Sequence, residues 1–493
     1  VADVVARIED ARARWLALVV LCVGMLMIIL DSTIVNVALP SIQSDLGFSQ
    51  SALAWVVNAY LIAFGGLLLL AGRLGDLIGR RRIFLLGLSV FTVASMVCGL
   101  AQSQAMLIGA RFIQGIGGAM TSAVILGMIV TMFQEPREQA KAIGVYSFIA
   151  SAGASVGLLL GGVLTQAINW HWIFFVNVPI GLITGLFALR LVRDDEGLGL
   201  GSGADVLGAI LVTGAVMLGV YTILEAGGQG WTSLHTLGFG AGSLALLAGF
   251  VARESRTENP LVPLGIFRSR TVSGANAIQA LMVAGMFGIF FMGVLYLQRV
   301  LGFDAIETGL AFLPVSVLIG VLSLGVSGRL TARFGARATL LAGLTLIVAG
   351  LAYFARVPTN GDYVVDVLPV MLLLGTGAGL SFPALMTLAM SGVTPSESGL
   401  ASGLVNTSLQ VGGAVGLAVL ATLATSRSDT LLGAGEPTPA ALTSGYHLAF
   451  IVGAGLVAVA LLVAATVLRP AAIVVEEGYE EGMEPEGAYA EAA

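Results

Sequence analysis

Two ionisable side chains, Asp31 and Arg111, stand inside long apolar runs. Asp31 lies in MLMIILDSTIVNVALP, residues 25–40, after a stretch from Trp15 that carries no charge. Arg111 opens RFIQGIGGA, residues 111–119. An isolated charge at the centre of a lipid-spanning helix costs about 2.5–3.5 kcal/mol on insertion scales, so each needs a partner or a task. A buried carboxyl can take up and release a proton, because desolvation favours its neutral form and a nearby cation its charged form. It can also meet a cationic ligand. The competing reading is structural: Asp31 is buried only to pair with Arg111, or it bends its helix ahead of Ser32 and Thr33. The structural counterpart for Arg111 is a clamp on carbonyls of the first span.

The elements that position these charges follow from composition. Of the 493 residues 57% are AVILMFWYC and 11% are charged, whereas a soluble domain has about 25% charged residues. Apolar windows of about 20 residues centre near 27, 61, 92, 118, 153, 182, 215, 244, 284, 316, 347, 378, 411 and 457, which predicts an all-α membrane protein with 14 spans. Alternating the connecting segments places all but Arg111, Arg299, Arg356 and Arg427 of the 23 lysines and arginines on one side. The positive-inside rule makes that side cytoplasmic, with both termini there. Residues 1–14 read as a mixed-charge helical lead-in that is retained rather than cleaved. Cys22 and Cys98 fall in spans and suit neither a disulfide framework nor a zinc site. Residues 470–493 are rich in glutamate without a basic residue and read as a disordered cytoplasmic tail.

The loop GRLGDLIGRRR, residues 72–82, has a second copy in GRLTARFGARA, residues 328–338. Gly72 and Gly328 align, as do Gly79 and Gly335, while the position of Asp76 is Ala332 in the second copy. A segment repeated at corresponding places in two halves marks a transporter built from structural repeats. Gly72 and Gly79 permit a tight turn, Asp76 can pair with an arginine, and the cluster from Arg80 anchors the loop at an anionic leaflet.

GRLGDLIGRRR resembles the loop signature of the major facilitator superfamily. LDSTIVNVALPSIQSDL, residues 30–46, and RFIQGIGGA resemble first- and fourth-span motifs of its fourteen-span drug:proton antiporters. GASVGLLLGG, residues 153–162, resembles the antiporter motif of span five, with Leu158 where that motif has proline. The resemblance implies two six-helix bundles, 15–193 and 270–469, with two helices inserted between them at 204–252. It further implies that spans one and four line a central cavity. Asp31 lies about 12 Å from the outer end of its span and Arg111 about 9 Å from that of its own, so the two charges sit at nearly the same depth and can face each other.

Other polar and soft residues complete the expected machinery. Arg111, Gln114 and Gly118 share a face of span four. Gly153, Gly157 and Gly161 give span five a face without side chains, suited to close packing and, on the resemblance, to gating with Gly72, Asp76, Gly79, Arg80 and Arg137. Asn276, Gln279, Met282, Met286, Phe287, Phe290 and Phe291 on span nine, Asn406 and Gln410 on span thirteen, and Trp55 and Asn58 on span two suit either core packing or an adaptable substrate wall. Glu225 and Glu307 fall at outer helix ends.

The expected function is proton-coupled export of lipophilic, cationic drugs or similar amphiphiles, with Asp31 and Arg111 as the coupling pair and Asp31 also meeting substrate. A lipid, siderophore or amino acid exporter on the same scaffold is the alternative. A membrane-embedded enzyme finds little support. His171, His235 and His447 map to outer loops or span starts without an H-E-x-x-H, and the sole lysine, Lys141, precedes Ala142, so no phosphate-binding loop exists. A channel fits repeated halves with buried charges less well than alternating access does. No cofactor, metal or nucleic acid is expected; the partners are protons, substrate and lipids, and the chain is expected to act as a monomer in a plasma or bacterial inner membrane.

Overall fold

The computed structural model describes residues 2–468 other than 195, 196, 198, 200–204, 258, 259, 263 and 391–397. The acidic tail lies outside the described residues. In chain order the helices are α1 Ala2–Leu46, α2 Gln50–Ile78, α3 Arg80–Gly99, α4 Gln104–Met132, α5 Pro136–Ala167, the short α6 Trp172–Phe175, and α7 Asn177–Leu191. They continue with α8 Val206–Gln229, α9 Leu234–Glu254, α10 Arg270–Gly288, α11 Val294–Arg299, α12 Ala305–Ala311, α13 Leu313–Val321 and α14 Ser327–Phe334. The last four are α15 Ala336–Phe354, α16 Leu368–Met390, α17 Ser398–Gly433 and α18 Thr438–Thr466.

Among the described residues, ten helices are long and apolar enough to cross a membrane alone, and the bent pair Ala52–Leu68 and Leu70–Ile78 makes an eleventh. Shorter apolar helices, Val156–Ala167, Leu207–Ile223 and Ala305–Val321, stand at the three remaining positions where the hydropathy reading places a span. Length alone therefore does not reach fourteen. Two predicted spans also contain π-helical turns, Ile289–Gly293 and Leu322–Val326, and a third enters through one at Tyr363–Val367.

Both copies of the repeated loop break the chain at the same glycine. Gly79, between α2 and α3, has φ +111°, and Gly335, between α14 and α15, has φ +86°. A side chain is strained in that region. Each amide still closes the preceding helix, Gly79 onto the Gly75 carbonyl and Gly335 onto the Thr331 carbonyl.

Helix contact in lipid gains little from apolar burial, so it rests on close fit and small residues. α1 packs on α5, α3 on α4, and α15 on α16. A Cβ at Gly117 of α4 would lie 2.4 Å from the Phe91 amide nitrogen, and one at Gly343 of α15 would lie 2.6 Å from the Gly377 carbonyl. The inserted helix α8 packs against both α2 and α17, with Thr213 donating to the Gly66 carbonyl and Thr422 to that of Ile223. α9 packs mainly on α8 and presents Leu234, Leu237 and Leu244 outward.

At the end opposite the arginine-rich loops, the two halves touch. Gln166 of α5 donates to Asp304 at 3.0 Å and accepts from the Ile306 amide, and Gln298 donates to the Val37 carbonyl. The Glu307 amide, and then Gln166, hold the exposed Asp304 carboxyl below its ordinary range. The charged form of this clasp therefore persists at neutral pH and is lost only as pH falls through that lowered value.

Gly117→Ala should cost about 1–3 kcal/mol, the scale of overpacking a tight contact. Gly109→Ala, where a Cβ meets nothing within 4 Å, should be neutral or stabilising. Thermal unfolding of the purified protein in detergent checks both; equal effects at the two sites would contradict the packing account.

Candidate functional site

Asp31, Arg111, Gln114 and Asn177 form one buried polar cluster. Asp31, Arg111 and Gln114 are each 0% exposed, as is Asn177. Arg111 Nη1 donates to Asp31 Oδ2 at 2.5 Å and to Gln114 Oε1 at 2.8 Å, and Nε donates to the Val56 carbonyl at 3.0 Å. Gln114 Nε2 and Asn177 Nδ2 donate to the other oxygen, Asp31 Oδ1, at 2.8 and 2.9 Å. Asn177 also reaches Ser95 Oγ, which donates to the Phe174 carbonyl. The guanidinium lies 4.3 Å from the Tyr60 ring centroid, a cation–π contact. Five helices, α1, α2, α3, α4 and α7, thus meet in one hydrogen-bonded cluster around a carboxylate.

The local sequence explains this convergence. Asp31 has Thr33 two residues on, whose hydroxyl returns to the Ile29 and Leu30 carbonyls, so the polar groups beside it are satisfied within α1. On the far side, α5 brings Gly153, Gly157 and Gly161 against α1. A Cβ at Gly157 would lie 2.9 Å from the Leu30 carbonyl, and one at Gly161 2.7 Å from that of Ile34. Large side chains there would push α1 off its place against α4 and α7.

The second group of expected residues lies elsewhere. Asn276 of α10 donates to the Val272 carbonyl and accepts from Ser408 of α17, while Gln279 and Met286 are buried along α10. Phe290, in the π-helical turn, stands 5.9 Å from the Phe312 ring. Gln410 packs against Gly65, and Asn406 is exposed. Trp55 faces Tyr221 of α8 at 6.1 Å. Asn58 is fully buried, and among the described residues neither end of its amide has a hydrogen-bond partner. The hydrogen bonds of Asp31 go to Arg111, Gln114 and Asn177, not to this seam. Sequence reasoning missed Asn177, Ser95 and Tyr60; the usable signal for Asn177 was an amide a few residues inside an apolar run, as Arg111 is.

The family model described as Major Facilitator Superfamily matches residues 21–417. The chain belongs to the major facilitator superfamily. It is 38% identical over 434 residues to the puromycin resistance protein pur8 of Streptomyces alboniger, covering 88% of this chain and 86% of that one. It is 36% identical over 437 residues to the cephamycin export protein CmcT of Amycolatopsis lactamdurans, covering 88% of each. A bacterial homolog of the human lysosomal transporter Spinster, in an inward-facing and unoccupied conformation, shares the fold with a TM-score of 0.65 at 17% identity, covering 92% of this chain and 98% of that one. The protein is therefore a multi-pass membrane transporter and not an enzyme.

The superfamily loop joins α2, α3 and α4. Arg80 donates to Asp76 Oδ1 from Nη2 at 2.9 Å and from Nε at 3.2 Å, and Nη1 donates to the Gly127 carbonyl. Gly72 sits 3.9 Å, by its virtual Cβ, from Ala123. The side chain of Arg137 is outside the described residues.

Removing one partner of a buried ion pair leaves the other uncompensated and costs about 3–5 kcal/mol. Asp31→Ala and Arg111→Ala should each destabilise on that scale, and the double variant by clearly less than their sum. Thermal unfolding in detergent reads the cycle; full additivity would mean that the pair is not coupled.

Proposed function

We propose that this transporter exports lipophilic, cationic drugs or similar amphiphiles in exchange for protons. The observation that carries the reading is the fully buried Asp31, whose oxygens are shared among Arg111, Gln114 and Asn177. A proton on Asp31 removes the charge that balances Arg111, leaving the guanidinium with the Val56 carbonyl, the Gln114 amide oxygen and the Tyr60 ring. Uptake of one proton therefore changes which helices α4 holds, and that couples titration to helix movement. Relatives named for puromycin resistance and for cephamycin export support the drug-export direction.

With the arginine-rich loops in the cytoplasm, as the positive-inside rule has them, the Gln166–Asp304 clasp closes the outer end. Substrate then loads from the cytoplasm or inner leaflet. Trp55, Asn58, Asn276, Gln279, Met286, Phe290, Asn406 and Gln410 are its proposed wall, with Asn58 contributing an amide whose hydrogen-bonding capacity is unspent. Asp31 has no exposed surface in this conformation, so its contact with substrate belongs to another step of the cycle. The Asp76–Arg80 pair, Gly72 and Gly79, with Arg137 and the α5 glycines, govern the inner gate. The transporter works as a monomer in a plasma or bacterial inner membrane.

Reconstituted wild type under an imposed pH gradient should move protons when lipophilic cations are added, and Asp31→Asn should lose this response while still folding. Unchanged coupling in the variant would assign Asp31 to architecture and remove the proposal.

A further inference from the structure

A buried pair of acids lies at the arginine-rich end of the inserted hairpin. Asp205 precedes α8 and Glu254 ends α9; each is 3% exposed. One oxygen of each is engaged. Asp205 Oδ1 accepts from the Gly208 amide at 2.8 Å and from Arg253 Nε at 2.6 Å, and Glu254 Oε2 accepts from the Val262 amide at 2.9 Å. Among the described residues the remaining oxygens, Asp205 Oδ2 and Glu254 Oε1, have no hydrogen-bond partner. Both point at the same spot over Gly208, where a Cβ would lie 2.5 Å from the first and 2.8 Å from the second. The two carboxyl groups are within hydrogen-bonding reach of one another.

Apart from the backbone amides of Val262 and Leu261 beside Glu254, the described surroundings offer little else to satisfy them. Ala209, Phe250, Leu261, Val262, Ile266 and Val272 form an apolar cluster here, joined by Leu404 of α17 and by partly buried Leu70 of α2. Arg253 of α9 is the charged group bonded to the pair, and among the described residues neither Arg256, Arg268 nor Arg270 forms an ion pair with it. Two carboxylates against one arginine leave one negative charge in apolar surroundings, with two lone oxygens facing each other. Like charges so placed cannot both persist, and an unpaired buried charge is costly. One proton resolves both difficulties, since a single O–H···O bond joins the free oxygens and leaves the site neutral with Arg253. The proton belongs to the pair rather than to either residue.

We infer that Asp205 and Glu254 bind one proton between them, and that this proton fastens the α8–α9 hairpin to the segment entering α10. Glu254 makes that link directly through Val262. Loss of the proton to solvent puts two negative charges face to face, loosening the hairpin where α8 bridges α2 and α17. The site shares no residue with the Asp31 cluster, so it stands whether or not Asp31 couples transport.

The test uses the purified full-length protein in detergent. Infrared spectra at neutral pH should show a protonated carboxylic acid band that is kept in Asp31→Asn and lost in both Glu254→Gln and Asp205→Asn. In wild type the same band should vanish as pH is raised, and thermal stability should fall with it, as expected when only the folded state binds the proton. Glu254→Gln keeps a donor for Asp205 and an acceptor for Val262, so its stability should not follow that pH change. A band untouched by both variants, or an unchanged pH slope in Glu254→Gln, would overturn the inference. Stability that follows sodium concentration at fixed pH would also overturn it, assigning the site to a metal cation.

Discussion

A charge taken out of water has to be compensated within hydrogen-bonding distance, and in this protein that requirement fixes the arrangement of α1, α2, α3, α4 and α7. Asp31 is a carboxylate with no exposed surface, so each of its oxygens needs donors from neighbouring helices. Arg111 supplies one face, and the amides of Gln114 and Asn177 supply the other. Arg111 in turn needs acceptors, which come from the Val56 carbonyl and Gln114, while the Tyr60 ring covers its plane. None of these helices can slide by a turn without leaving a polar group stranded, and a stranded buried charge costs more than its bond contributes when made. The cluster is thus a register device as well as the proposed coupling site.

Small residues make this register possible. In lipid the apolar face of a helix is as well solvated by tails as by another helix, so association depends on close approach. The α5 glycines seat α1 from behind, and Gly117 and Gly343 do the same for α3–α4 and α15–α16. The two halves use the same device at corresponding places, just as they use Gly79 and Gly335 to turn between helices. They differ in charge: the first half has Asp76 with Arg80, and the second has Ala332 there.

Much of this was legible in the sequence because the physics involved is one-dimensional. Apolar run length and the repeated glycine spacing are properties of order along the chain, and they gave the all-helical membrane fold of a transporter. The depths of Asp31 and Arg111 could be counted along their helices, which brought them level, and they are paired. What could not be counted was azimuth. Asn177 and Ser95 sit at comparable depths in their own runs, but which way each side chain points depends on packing that no periodicity in a nearly uniform apolar helix reveals. The same limit hid Asp205 and Glu254. They are 49 positions apart at the two ends of a hairpin, and each alone reads as a solvated helix terminus.

The inserted hairpin shows how such contacts connect the halves. α8 lies along both α2 and α17, so it touches an element from each half. Its bonds to them are few and use backbone acceptors, the Gly66 carbonyl toward one half and the Ile223 carbonyl toward Thr422 of the other. A threonine hydroxyl can exchange one carbonyl for another one turn away, so these bonds allow sliding. The buried carboxyl pair at the hairpin base does not, because it is held by Gly208, Arg253 and Val262, and among the described residues its two other oxygens have no hydrogen-bond partner in largely apolar surroundings. A helix that moves against both halves while held at one end turns about that end. Its other end meets Trp55 through Tyr221, one helical turn from the fully buried Asn58.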